Sequence, residues 1–227
     1  MKRRQRDSQR GQATVELALV LPVVILVVLA SAQLISIFWH TQQLHQSAFY
    51  VARAGALNHG SMTTMTNSLV ALMAGMEPPS LTAVTEQERP DWALHHTKSW
   101  LKTRWHFTKY GRLQITSPTQ ADWERESEWR IDPDSLQWVR EIAIDHSEAR
   151  QLAAPDRVAW SQARLLTIKV DWCLPLVIPF VDKLFAEAQS LLQQQNRFCQ
   201  LRQVLSQRPL WSLQTDISVP LGSGFRQ

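Results

Sequence analysis

Two cysteines, seven histidines and a scatter of carboxylates are the residues whose chemistry this chain could put to work. Cys173 and Cys199 are two thiols where a structural zinc site needs four ligands, and no others stand at the usual spacings. In an oxidising compartment they read as a disulfide closing a loop of about 27 residues, worth ~3 kcal/mol in the chain-entropy model. Of the histidines, His40, His45, His59, His95, His96, His106 and His146, none stands in an HExxH pattern. His95, His96 and His106 form the one group that invites a metal reading, and solvated or hydrogen-bonded histidines are the commoner case. Asp132 and Asp134 flank a proline, while Glu124, Glu126 and Glu128 alternate. Such pairs can do acid–base work, but charged loops and solvated strand faces account for them with less. There is no nucleophile elbow, phosphate loop or glycine-rich fingerprint. The chain is therefore expected to work without turnover, with no cofactor and no metal.

The remaining carboxylate of interest is Glu16, and the element that must position it is membrane-like. Lys2, Arg3, Arg4, Arg6 and Arg10 precede it, and the next basic residue is Arg53. Only two of the 20 acidic residues lie before Arg53, so 19 basic residues face 18 acidic ones from there on. The net charge of +4 is thus mostly a head group, not a nucleic-acid surface. From Leu17 to Trp39 no residue is charged, and only Ser31, Gln33 and Ser36 are clearly polar. As a helix those residues would span ~30 Å of hydrocarbon, with the N-terminus in the cytoplasm by the distribution of basic residues. A secretory signal cleaved before Gln33, after Ala30-Ser31-Ala32, is the rival reading. Against it, Leu34, Ile37, Phe38, Leu44, Ala48, Val51 and Ala52 continue one helical spacing to Leu57, with Gly60 as terminator. Pro22 does not end such a helix inside a membrane, where neighbours absorb a kink.

A cut after Gly11 would make Gln12 a new amino terminus and leave Glu16 one helical turn beyond it. There the carboxylate favours the positive end of the helix dipole and can meet the α-amino group of a neighbouring copy. A partner would offset the cost of burying it, up to ~3 kcal/mol at mid-bilayer. A solvated Glu16 at the headgroup level is the plainer alternative, and both readings stand.

Basic residues, Gly11, then Gln12-Ala13-Thr14-Val15-Glu16-Leu17 and Ala18-Leu19-Val20-Leu21-Pro22 resemble the amino-terminal motif of the TadE-like family. These are minor pilins, or pseudopilins, of tight-adherence (Flp-type) pilus systems. Val51-Ala52-Arg53-Ala54-Gly55-Ala56 is similar to that family's alanine-rich stretch around an arginine, and the resemblance covers roughly residues 8–57. It implies cleavage after Gly11 by a prepilin peptidase, with Glu16 needed for recognition or assembly. It also implies other pilin-like subunits as partners, with Glu16, Pro22, Arg53 and Gly55 as packing positions. The expected location is the bacterial inner membrane, single-pass, with the C-terminal domain periplasmic.

Past Gly60 the pattern is mixed. Residues 61–76 read as a short amphipathic helix and 77–90 as a linker. Trp92, Trp100, Trp105, Trp123, Trp129 and Trp138 crowd the next stretch. Interleaved with basic residues, they suggest either a stacking platform or the core and partner surface of a domain. Residues 164–172 alternate as a half-buried strand, 181–205 read as a helix rich in Gln and Leu, and 211–219 as a last strand. The expected fold is α+β: a long transmembrane helix protruding into an ectodomain with a largely antiparallel sheet and packed helices. The expected divisions are a leader (1–11), the protruding helix (12–59), a short helix and linker (60–91) and the ectodomain (92–227). A membrane-anchored ligand-binding protein or enzyme with a Trp-rich site is the alternative.

Overall fold

The computed structural model describes residues 9–75, 92–133, 135–191 and 196–226. The expected linker at 77–90, Asp134 and most of the basic leader lie outside them.

Helix α1 (Gln9–Leu57) is 49 residues long and carries Pro22 within it. At 1.5 Å per residue it extends ~73 Å. Its two halves live in different surroundings. Residues 16–32 bury no side chain, whereas from Gln33 onward one stripe is buried: Gln33, Ile37, Leu44, Ser47, Ala48, Val51, Ala52 and Ala56. Steps of three and four keep that stripe on one face of a 3.6-residue turn.

The helix stops at His59 and Gly60, both at positive φ, where the Gly60 N–H donates to the Gly55 carbonyl at 2.9 Å. Gly60 is required twice over, since its φ of +78° favours glycine and a Cβ there would run into the Phe225 ring. The open carbonyl of Ala56 accepts from the N–H groups of Gly222 (3.1 Å) and Ser223 (2.9 Å), and the Ser223 hydroxyl accepts from the His59 N–H. Thus the final segment of the chain supplies partners that a helix end lacks. Helix α2 (Met62–Ala74) follows, capped by Ser61, with Met65, Leu69, Val70 and Met73 buried.

The Trp-rich stretch opens as a helix, α3 (Trp92–Tyr110), and continues as strand β1 (Gly111–Ser117). Helix α4 (Gln120–Glu126) has a Thr119–Asp122 capping box. Strands β2 (Ser127–Ile131) and β3 (Trp138–Ile142) form an antiparallel hairpin. Short helices α5 (Ser147–Ala153) and α6 (Arg157–Gln162) lead to β4 (Leu165–Pro175). Helices α7 (Val181–Leu191) and α8 (Arg197–Ser206) precede β5 (Leu210–Pro220). The main sheet is antiparallel in the order β1-β4-β5, with Leu113 opposite Val170 and Ile168 opposite Ile217.

This is the expected α+β architecture, a long apolar helix leading into antiparallel sheets and helices. The alternation of β4 is as read: Leu166, Ile168, Val170 and Trp172 are buried against Leu44, Val51, Met65 and Leu69 in one continuous core. The distal half of α1 and the whole of α2 are therefore part of the domain's own core.

Two details differ from the sequence reading. The single helix at 181–205 is two, because the Asn196 side chain caps a new start by accepting from the Phe198 N–H at 3.0 Å. A Gln-rich run conceals such a cap. Asp171, on the polar side of β4, is fully buried, because Arg112 donates twice to its Oδ2 (2.9 and 2.8 Å) and Asn196 donates to its Oδ1. The disulfide is formed between Cys173 of β4 and Cys199 of α8, with Cα atoms 5.5 Å apart. It lies buried with Leu210 and is flanked by Tyr110 and Phe198.

Candidate functional site

Two regions merit attention: the free half of α1 and the place where the domain meets it. The peptide bond between Gly11 and Gln12 lies in the first turns of α1. Glu16 is exposed at the start of the apolar face, about 6 Å along the axis from Gln12. From Leu17 to Val28 the aliphatic side chains face outward, Leu19 with 71% of its surface exposed. This part of α1 is long and apolar enough to cross a membrane.

Pro22 is exposed within that segment, and Arg53 is exposed on the far half of α1. Gly55 is buried inside the chain's own fold, where a Cβ would run into the Met65 side chain and stand 3.1 Å from Leu166 Cδ2. Its small size admits α2 and β4 against α1.

At the near end of the domain α1, α3, β4 and α8 enclose an open cavity of about 850 Å³. Ser36 and His40 of α1 line one wall, and His106, Trp105 and Trp172 another. Lys102, Lys109, Arg202 and Arg208 stand around it, and its described lining includes no carboxylate. The Lys109 ammonium sits 3.6 Å over the Trp105 ring. His106 is stacked between Tyr110 and Trp172, with ring centroids 5.1 and 4.9 Å away. Burial pushes its pKa down to about 4, against a hydrogen bond to the Cys173 backbone that acts the other way. Its Nε2 is buried without a hydrogen-bond partner among the described residues.

The side chains of His95 and His96 lie outside the described ones, and no group of three metal-binding side chains is gathered among the described residues. Of the carboxylates that could have done acid–base work, Glu126, Glu128 and Asp132 are engaged with arginines, and Glu124 accepts from Gln120 Nε2 at 2.9 Å. Glu128 is held by Arg150 through two hydrogen bonds of 3.0 Å, and Glu126 faces Arg164 at 3.3 Å. The Ser135 hydroxyl and the Arg226 guanidinium hold the Asp132 carboxyl down at about 2. Such a group stays ionised at neutral pH and is a poor proton carrier.

The tryptophans divide. Trp123 lies under the Arg140 guanidinium at 4.5 Å and Trp100 is half-buried, whereas Trp105, Trp129 and Trp138 are more than 60% exposed. Trp105 belongs to α3 and the other two to the β2–β3 hairpin. Trp138 stands opposite Ile131, two residues from Trp129 on the same face. Sequence reasoning missed the cavity and the exposed turn beside it, Val177 to Phe180. An apolar run interrupted only by prolines, Leu174-Pro175-Leu176-Val177-Ile178-Pro179-Phe180, was the available signal.

Residues 11–53 match a family model described as TadE-like protein. No curated protein and no solved structure matches the chain. The match begins at Gly11, runs through the free half of α1 and ends inside the domain's core, so it covers the apolar helix and not the sheet. It supports a pilus-related role in a tight-adherence system and a membrane-anchored chain.

Proposed function

We propose, from a chain whose residues 11–53 are TadE-like, that this protein is a minor pilin (pseudopilin) taking part in assembly of a tight-adherence pilus. It acts through helix packing and domain contacts, without turnover. The observation that carries the reading is the division of α1: an exposed apolar half within the family match, continuous with a half embedded in a folded domain. A detachable signal has no reason to share its helix with the core of the protein it delivers.

In this reading a prepilin peptidase cuts after Gly11, Glu16 guides recognition and lateral association, and Pro22 and Arg53 face neighbouring pilin-like subunits. The N-terminus is cytoplasmic and the domain periplasmic, which agrees with a disulfide at Cys173–Cys199. The test is the intact mass and N-terminal sequence of protein recovered from membranes, with and without the peptidase. A peptidase-dependent start at Gln12, abolished by Gly11→Leu, is expected. A start at Gln33, or normal maturation of Gly11→Leu, would overturn it.

A further inference from the structure

The exposed length of α1 fixes where a bilayer must end relative to the domain. Counting from Glu16, a ~30 Å hydrocarbon layer takes about 20 residues of helix and ends near Ser36. The domain starts at that level. Gln33 is buried, and its Oε1 accepts from the Ile178 N–H at 3.4 Å. Next to this contact Val177 and Phe180 are 80% and 82% exposed, which is costly in water and natural in an interfacial layer.

The cavity lies at the same level, since Ser36 and His40 line it. Trp105, Tyr110 and Trp172 line it, and its described charges are all positive. On α1 itself Ile35 and Trp39 are exposed beside Ser36 and His40, so apolar side chains lead up the helix to a basic opening. Trp39 and Trp105 add the aromatic residues typical of the membrane–water boundary. An amphiphile with an anionic head and long apolar tails matches both features. A volume of about 850 Å³ is within the ~300–1,000 Å³ range of small-molecule sites.

We propose that this cavity binds the headgroup of an anionic phospholipid from the leaflet into which α1 emerges. The phosphate faces Lys109, Arg202 and Arg208, and the acyl chains lie along α1 beside Val177 and Phe180. The proposal rests on the membrane-anchored reading of α1, and its test separates the two.

The full chain, in nanodiscs containing phosphatidylcholine and phosphatidylglycerol, is released into detergent and its retained lipid identified by native mass spectrometry. Phosphatidylglycerol should be retained over phosphatidylcholine by about five-fold or more, as expected for basic side chains near anionic lipid. Lys109→Gln/Arg208→Gln should abolish the preference, and the charge-keeping Lys109→Arg/Arg208→Lys should restore it, with the same melting temperature in all three proteins. Equal retention of both lipids, an unchanged preference in the glutamine variant, displacement by inorganic phosphate alone, or a bound polypeptide in place of lipid would each overturn the site. Alkaline extraction of the same membranes reads the anchor by itself. Extractable protein defeats both readings, while resistant protein without lipid preference defeats only this one.

Discussion

At the scale of single residues, His106 ties stability to pH. Its ring is held at about 4 where an unconstrained histidine sits at 6.5, so between those values the unfolded chain binds the proton that the folded one refuses. Stability is then complete above pH 6.5 and falls as the pH drops toward 4, by up to roughly 3 kcal/mol. His106→Phe, which keeps an aromatic ring between Tyr110 and Trp172, should flatten this segment of a melting-temperature profile. A difference between the two proteins that does not change from pH 7 to 4 would refute the assignment. Residue types announced some of this and hid the rest. Cys173 and Cys199 were legible because two thiols leave few options. Gly55 was not, because a small residue marks a close approach without saying what approaches. Here it is Met65, ten residues on and across a turn.

Elements were legible where burial imposes a simple period. Strand β4 shows its alternation because one face meets α1 and α2 over most of its length. Helix α1 was readable across both halves, since lipid-like exposure and core burial each select apolar residues. The break between α7 and α8 was not, because it depends on a cap at Asn196 and on the buried Asp171 that holds that cap's amide. Helix α8 has one covalent tie to the sheet, and few of its side chains are buried, Cys199 among them. Cys173→Ala/Cys199→Ala should therefore cost about 3 kcal/mol and act locally. Hydrogen exchange should quicken in α8 and around Leu210, which shares the disulfide's pocket, while α2 and β4 stay protected. A uniform loss of protection would contradict that local picture.

At the scale of the whole molecule, the β2–β3 hairpin presents Trp129, Ile131 and Trp138 on one face, each more than half exposed. The hairpin's ion pairs, Arg130 with Asp145 and Arg150 with Glu128, fix it without using that face. Trp129→Ser/Trp138→Ser should leave the unfolding free energy within about 0.5 kcal/mol of wild type, as surface changes do, and, on the function proposed above, reduce recovery with pilin-like partners. Unchanged recovery would remove the hairpin from assembly. The location of this patch was beyond the sequence, which shows aromatic frequency but not which aromatics a core has room for. The end of α1 carries one more consequence. Its Ala56 carbonyl and His59 N–H are satisfied by residues around Ser223, 164 positions later. The end of α1 therefore stays open until residues more than 160 positions later have been made. Long sequence separation of this kind slows folding and prolongs exposure. A form lacking residues 222–226 should leave that helix end open and be cut faster than the full chain in limited proteolysis.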